Sequence, residues 1–82
     1  MLTLIIIDGI RIMMYHDDHY PPHVHARKDV MDAQFEIATG QMMESRLDRR
    51  TIRKVQQWIE LNRDLLFEAW TQCQSNQTTT KS

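Results

Sequence analysis

The chain has 82 residues, 41% of them hydrophobic and 26% charged, and its ten Lys and Arg residues against eleven Asp and Glu residues give a net charge of −1. This length excludes a second domain and leaves too thin a core for a large buried cofactor such as a dinucleotide. The single cysteine excludes a disulfide framework and a CxxC zinc site, and the longest apolar run, residues 4–7, is too short for a signal sequence or a membrane span. We therefore expect a cytoplasmic protein with one domain over residues 1–73 and a disordered polar tail over residues 74–82.

Two apolar runs at the start of the chain predict a β-hairpin. Residues 2–7 and 10–15 are rich in β-branched side chains, and the Asp8-Gly9 pair between them tolerates the positive φ values of a type I′ turn. Four isoleucines then share one face of the sheet, which we expect to be the core face: Ile5, Ile7, Ile10 and Ile12. The other face carries Leu2, Leu4, Ile6 and Met13. Because monomers rarely leave so apolar a patch in water, the tail, a small protein partner or a second copy of the chain should cover it.

A second hairpin and a short fifth strand are predicted after an irregular connection. The Pro21-Pro22 pair donates no ladder hydrogen bonds, so residues 16–22 should leave the sheet. Residues 23–27 and 31–37 alternate polar and apolar side chains, and residues 41–44 can return as a further strand. If the turn has an even number of residues, the polar side chains share one face: His23, His25, Arg27, Asp32, Gln34 and Glu36.

The remainder of the chain predicts two helices. Asp48 can cap the first, whose apolar stripe consists of Ile52, Val55, Trp58 and Ile59. Asn62 can cap the second, whose stripe consists of Leu65, Leu66, Ala69, Trp70 and Cys73, with Leu61 packing on Leu66. Strands first and helices last predict an α+β fold: an antiparallel sheet of four to five strands, covered on one face by the two C-terminal helices.

The four histidines form the most informative cluster, because they lie within residues 16–25 beside two adjacent carboxylates. His23 and His25 are two positions apart, so an extended strand places both imidazoles on one face about 7 Å apart. Two such rings can bind one divalent transition metal ion, and Glu36 or Asp32 across the hairpin could orient a ligand. The third ligand would come from the preceding loop: His19, His16 or Asp18.

The same cluster has other interpretations. The imidazoles can be half-exposed strand residues without a chemical role, with His19 satisfying backbone groups of the proline connection. They can also perform general acid–base chemistry with Asp18, and metal-independent RNA cleavage would need only the His pair and a basic residue such as Arg27. A covalent nucleophile is not indicated, because no Ser or Cys lies near the cluster and Cys73 falls on a helix stripe.

A basic run marks the start of the first predicted helix. Half of the positive charge lies within nine residues: Arg46, Arg49, Arg50, Arg53 and Lys54. On a helix the last four fall opposite the apolar stripe. They form either a surface for RNA or DNA phosphates or an ordinary solvated face. The slightly negative net charge of the chain favours the solvated face.

The segment from Asp18 to Ala26 resembles a family of short bacterial proteins of unknown function marked by an Asp-His-x-Pro-Pro-His-x-His-Ala motif. The similarity extends over about residues 2–73, although Ser45 and Asp48 stand where the family prefers Gly and Pro before the first helix. The resemblance implies a cytoplasmic protein encoded beside another small domain, in a two-gene module of toxin–antitoxin type. It implies no activity, and any role that the family gives its motif would fall here on Asp18, His19, His23 and His25.

The sequence thus leaves two functions open. In the first, the chain is a protein-binding domain with additional contact to nucleic acid through the basic helix. In the second, it is a nuclease or other hydrolase: His23 and His25 bind a metal or act as an acid–base pair, Asp18 and His19 complete the site, and Arg27 steadies anionic charge.

Overall fold

The computed structural model describes residues 2–15 and 19–79. Five strands form one antiparallel sheet in which each strand pairs with its neighbour in sequence, in the order β1-β2-β3-β4-β5. Their bounds are Leu2–Ile7 (β1), Ile10–Met14 (β2), His23–Lys28 (β3), Met31–Glu36 (β4) and Met42–Ser45 (β5). Two helices follow, α1 over Arg49–Leu61 and α2 over Arg63–Thr79. The predicted α+β fold is confirmed.

The turn between β1 and β2 has the backbone that its sequence predicts. Asp8 and Gly9 both adopt positive φ values, 49° and 79°, as a type I′ turn requires. The Asp8 carboxylate also accepts a hydrogen bond of 2.7 Å from the Lys54 ammonium group of α1. This ion pair lowers the pKa of Asp8 and connects the first turn of the sheet to the first helix.

The core lies between one face of the sheet and the two helices. Ile12, Ala26 and Ala33 are cross-strand partners on β2, β3 and β4, and all three are buried. Val24 and Phe35 form a neighbouring buried pair with no exposed surface. The helices close this core with Val55, Ile59, Leu66, Trp70 and Cys73.

The edge strand β1 departs from the predicted arrangement. An irregularity in the register between Thr3 and Ile5 gives β1 an extra residue, so Leu4 packs against the core instead of lying on the outer face. Ile5 faces Ile12 as predicted, but it is 39% exposed because only one strand flanks it. The prediction that Ile5 is a core residue was therefore wrong. The outer apolar patch is also smaller than predicted, since Met13 is buried within the chain itself.

Helix α1 begins where the sequence predicts. Asp48 is its N-cap, and the Asp48 carboxylate accepts hydrogen bonds from the backbone N–H and the hydroxyl of Thr51. The bond from the Thr51 hydroxyl lowers the pKa of Asp48 most, and the bond from the Thr51 N–H adds to the effect. Thr51 is itself buried, so the cap lies at the edge of the core.

This cap makes folding stability depend on pH in the acid range. A carboxyl whose pKa is lower in the folded chain than its ordinary value of 3.8 stabilises the fold above that value and loses the contribution as pH falls through the folded pKa. We expect the free energy of unfolding to fall below about pH 4, and less steeply for Asp48→Asn, whose side chain caps without titrating. Urea titrations from pH 6 to pH 2 measure how steeply the free energy of unfolding falls in the unaltered protein and in Asp48→Asn. Equal slopes in the two proteins would contradict the assignment of this effect to Asp48.

The two helices are separate, as predicted, and meet at Asn62. Its backbone N–H donates to the carbonyls of Trp58 and Ile59, while its own carbonyl accepts from the Leu66 N–H. The Asn62 side-chain amide donates to the Trp58 carbonyl as well. Asn62 therefore provides hydrogen-bond partners for backbone groups at the end of α1 and at the start of α2.

The junction also corrects details of the predicted second helix. Leu61 is 84% exposed and Leu65 is 65% exposed, so neither packs as predicted. The buried stripe of α2 instead consists of Leu66, Trp70 and Cys73, at steps of four and three residues. Because these residues face the core, Leu65 faces solvent. The helix also continues past Cys73, the last residue of its buried stripe, to Thr79.

Candidate functional site

The two strand histidines lie side by side at the start of β3. His23 and His25 have ring centroids 5.1 Å apart with an angle of 58° between their planes. The alternation of the strand causes this arrangement, because Val24 between them points into the core. The rings neither diverge nor lie on opposite faces, so they can contact one ligand.

His23 is the buried member of the pair. Its side chain is 6% exposed, and its Nδ1 lies 2.8 Å from the carbonyl oxygen of Pro21. A carbonyl oxygen can only accept, so this bond requires a proton on Nδ1. In the neutral ring the lone pair is then on Nε2, the tautomer that metal-ligating and proton-accepting histidines use.

Three further aromatic residues extend the pair into a row of rings. The Tyr15 ring meets His25 edge-on at 4.5 Å, the Trp70 ring of α2 lies 5.6 Å from His23, and Tyr20 lies 5.9 Å from Trp70. These neighbours were not predicted from the sequence. Only the position of Tyr15 had a signal there, because the alternation of the first hairpin places it on the outer face with Arg11 and Met13.

The polar face predicted around the histidines is present in the strand register. His23 pairs with Glu36, His25 with Gln34, and Arg27 with Asp32. Two of these side chains are engaged elsewhere. The Glu36 carboxylate accepts a 2.7 Å hydrogen bond from the Thr39 hydroxyl, and the Arg27 Nε donates to the carbonyl of Asp29 in the adjacent turn. Neither contact directs the side chain toward the histidine pair.

A metal centre is incomplete in the part of the chain that the structure describes. Within residues 2–15 and 19–79, no group of three or more His, Cys, Asp or Glu side chains is close enough to hold a metal ion. His19 is exposed and forms no such group with His23 and His25. Asp18 and His16, the other predicted ligands, lie outside the described residues.

The basic run divides into an exposed set and one paired residue. Arg46, Arg49, Arg50 and Arg53 are all exposed, with the last three on the outer face of α1. Lys54 is instead bound to the Asp8 carboxylate, which neutralises its charge. Phosphate contact by Lys54 and by the four arginines stays a prediction, and only the arginines are without such an ion pair in the described residues.

These features define a small α+β domain with a histidine pair on one sheet face. Residues 9–71 match the family described as "Domain of unknown function (DUF4160)", and the chain belongs to that family. No curated protein and no solved structure is significantly similar to the chain. In the described residues, no helix is both long enough and apolar enough to span a membrane.

Proposed function

We propose that this protein is a protein-binding domain that takes up an extended segment of a partner along β1. The observation that carries the proposal is Ile6, which is 61% exposed within an edge strand. β2 flanks one side of β1, and no strand within residues 2–15 and 19–79 flanks the other. An edge strand presents a row of backbone N–H and C=O groups, and partners bind such edges by adding a strand.

The composition of β1 supports a partner segment with aliphatic side chains. β1 contains no charged residue and no proline, although edge strands are commonly protected by such residues. The complementary segment is an extended strand with aliphatic side chains that cover Ile5 and Ile6. The resemblance to the bacterial family implies its source, the small protein encoded by the neighbouring gene of a toxin–antitoxin-like pair.

Calorimetry with the purified chain and the purified neighbouring gene product tests this proposal. We expect Ile6→Lys to weaken the complex at least tenfold, because a charge would be buried in the added-strand interface. Val30→Lys is the matched control, since Val30 is 81% exposed in the β3–β4 turn and should leave the affinity unchanged.

Two results would contradict the proposal. One is an absence of binding at micromolar concentrations, and the other is equal weakening by Ile6→Lys and Val30→Lys. Light scattering on the chain alone tests whether the protein forms a dimer through β1. A dimer that Ile6→Lys converts to a monomer would make a second copy, rather than the neighbouring protein, the occupant of β1.

A second candidate function is metal-dependent hydrolysis at the histidine pair. The observation that favours it is the ring separation of 5.1 Å. Two imidazoles that share one tetrahedral ion, with metal–nitrogen bonds of about 2.1 Å, have centroids about 5 Å apart. The Pro21 carbonyl holds His23 in a suitable tautomer, and Asp18 is the proposed third ligand.

Elemental analysis of protein purified without nickel resin tests this second function, together with cleavage assays on quenched RNA and DNA strands. We expect His25→Ala to lose bound metal and activity together. Gln34→Ala, which alters the cross-strand partner of His25, is the control and should retain both. Absence of stoichiometric metal in the unaltered protein, or activity that survives His25→Ala, would exclude this function.

A further inference from the structure

We infer that the arginine face, defined as Arg46 just before α1 together with Arg49, Arg50 and Arg53 on α1, binds the phosphodiester backbone of a nucleic acid. None of these residues belongs to β1, the strand of the proposed protein interface. All four side chains are exposed. Their positive charge is concentrated in eight consecutive residues of a chain whose net charge is −1.

The side chains of the arginine face have no protein partner in the described structure. None of the four forms an ion pair or a side-chain hydrogen bond with any of residues 2–15 and 19–79. The neighbouring cations differ, because Lys54 binds the Asp8 carboxylate and the Arg63 Nε donates to the Ile37 carbonyl. The guanidinium groups of the arginine face therefore keep their donors for an external anion.

Two of these arginines occupy positions that oppose helix stability. Arg49 and Arg50 are the first two residues of α1, and its first turn contains no acidic residue. The N-terminal end of a helix carries a partial positive charge, so selection for stability alone favours Asp or Glu there. The Asp48 carboxylate at the N-cap offsets part of the repulsion between the helix dipole and the guanidinium groups, and a polyanion bound to this surface would offset more of it.

The shape of the surface suits an extended polyanion. Arg49, Arg50 and Arg53 line an open depression of about 330 Å³. Arg53 also lines a second depression of about 320 Å³ that extends along α1 past Gln57 to Glu60 and Arg63. Arg49 and Arg53 lie one helical turn apart, at a spacing of about 6 Å. Arginines can thus follow successive phosphates, while the exposed amide of Gln57 is placed for a sugar or base edge.

Fluorescence anisotropy across a salt series tests the inference, with a labelled single-stranded RNA and a labelled DNA duplex as probes. Four phosphate contacts predict that log K falls against log salt with a slope of about −3.6 for the duplex and −2.8 for the single strand. We expect Arg49→Gln with Arg53→Gln to reduce the magnitude of the slope by about 2. Whichever probe binds more tightly distinguishes single-stranded RNA from duplex DNA as the source of the phosphates.

The matched control is Arg11→Gln, which removes one positive charge from an exposed arginine on the outer sheet face and is compared with Arg53→Gln. We expect Arg11→Gln to keep the slope of the unaltered protein and Arg53→Gln to reduce its magnitude by about 1, whereas Arg49→Lys with Arg53→Lys should keep the slope because the charge is retained. Circular dichroism verifies that each variant is folded. Binding of neither probe at 20 mM salt, or equal losses for Arg53→Gln and Arg11→Gln, would overturn the inference.

Discussion

Replacing Phe35 with alanine is expected to cause the largest loss in the free energy of unfolding of the substitutions considered, about 3–5 kcal/mol. Phe35 has no exposed surface and faces Val24 across β3 and β4 in the centre of the core. Phe→Ala substitutions in cores cost about 3–5 kcal/mol, through lost transfer energy and the cavity left behind. A domain of this length has a total stability of about 4–12 kcal/mol, so one substitution removes a large fraction of it.

Urea denaturation followed by circular dichroism measures this loss. Phe35→Leu is the control, because it keeps an apolar side chain of nearly the same volume and should cost less than about 1.5 kcal/mol. A loss below about 1 kcal/mol for Phe35→Ala would show that the sheet and helices do not enclose Phe35 as described.

Replacing Trp70 with alanine is expected to have the next largest effect and to disturb the candidate site as well. Trp70 is 3% exposed, belongs to the core and contacts the rings of His23 and Tyr20. Its loss should cost about 3–5 kcal/mol and leave His23 without its α2 neighbour. Trp70→Phe should cost considerably less, because the buried indole N–H has no acceptor among the described residues.

Trp58 provides the comparison, since it is only partly buried at the margin of the core. We expect Trp58→Ala to cost less than Trp70→Ala in the same urea experiment. In a Trp58→Phe background, the fluorescence of Trp70 should be blue-shifted in the native state and move to longer wavelength on unfolding. A larger loss at Trp58 than at Trp70 would contradict the packing of α2.

Much of the fold was predictable because local chemistry and periodicity agree. The Asp8-Gly9 turn, the Asp48 cap and the break at Asn62 each follow from residues whose short-range preferences match the structure. The wrong predictions concern residues whose burial depends on contacts between distant parts of the chain. No local signal reveals the register irregularity that moves Leu4 into the core, and Leu65 and Leu66 are equally apolar, so only the rotation of α2 about its axis selects Leu66.

The candidate site was predictable in part for the same reason. The two-residue spacing of His23 and His25 fixes their common face, because strand geometry leaves no alternative. The contact with Trp70 depends on how α2 crosses the end of the sheet, which spacing along the chain does not encode. The pairing of Lys54 with Asp8 likewise joins residues 46 positions apart, so the sequence could not separate Lys54 from the neighbouring arginines.

The order of the sheet has a consequence for how the protein folds. Each strand pairs with the strand that precedes it, so every ladder closes over a short loop and little chain entropy is lost in forming it. Such local connectivity favours rapid folding, and the sheet can assemble on the ribosome before the two helices have emerged. A nascent chain at that stage still exposes Ile12 and Phe35, so it should be most prone to aggregation just before the helices are released.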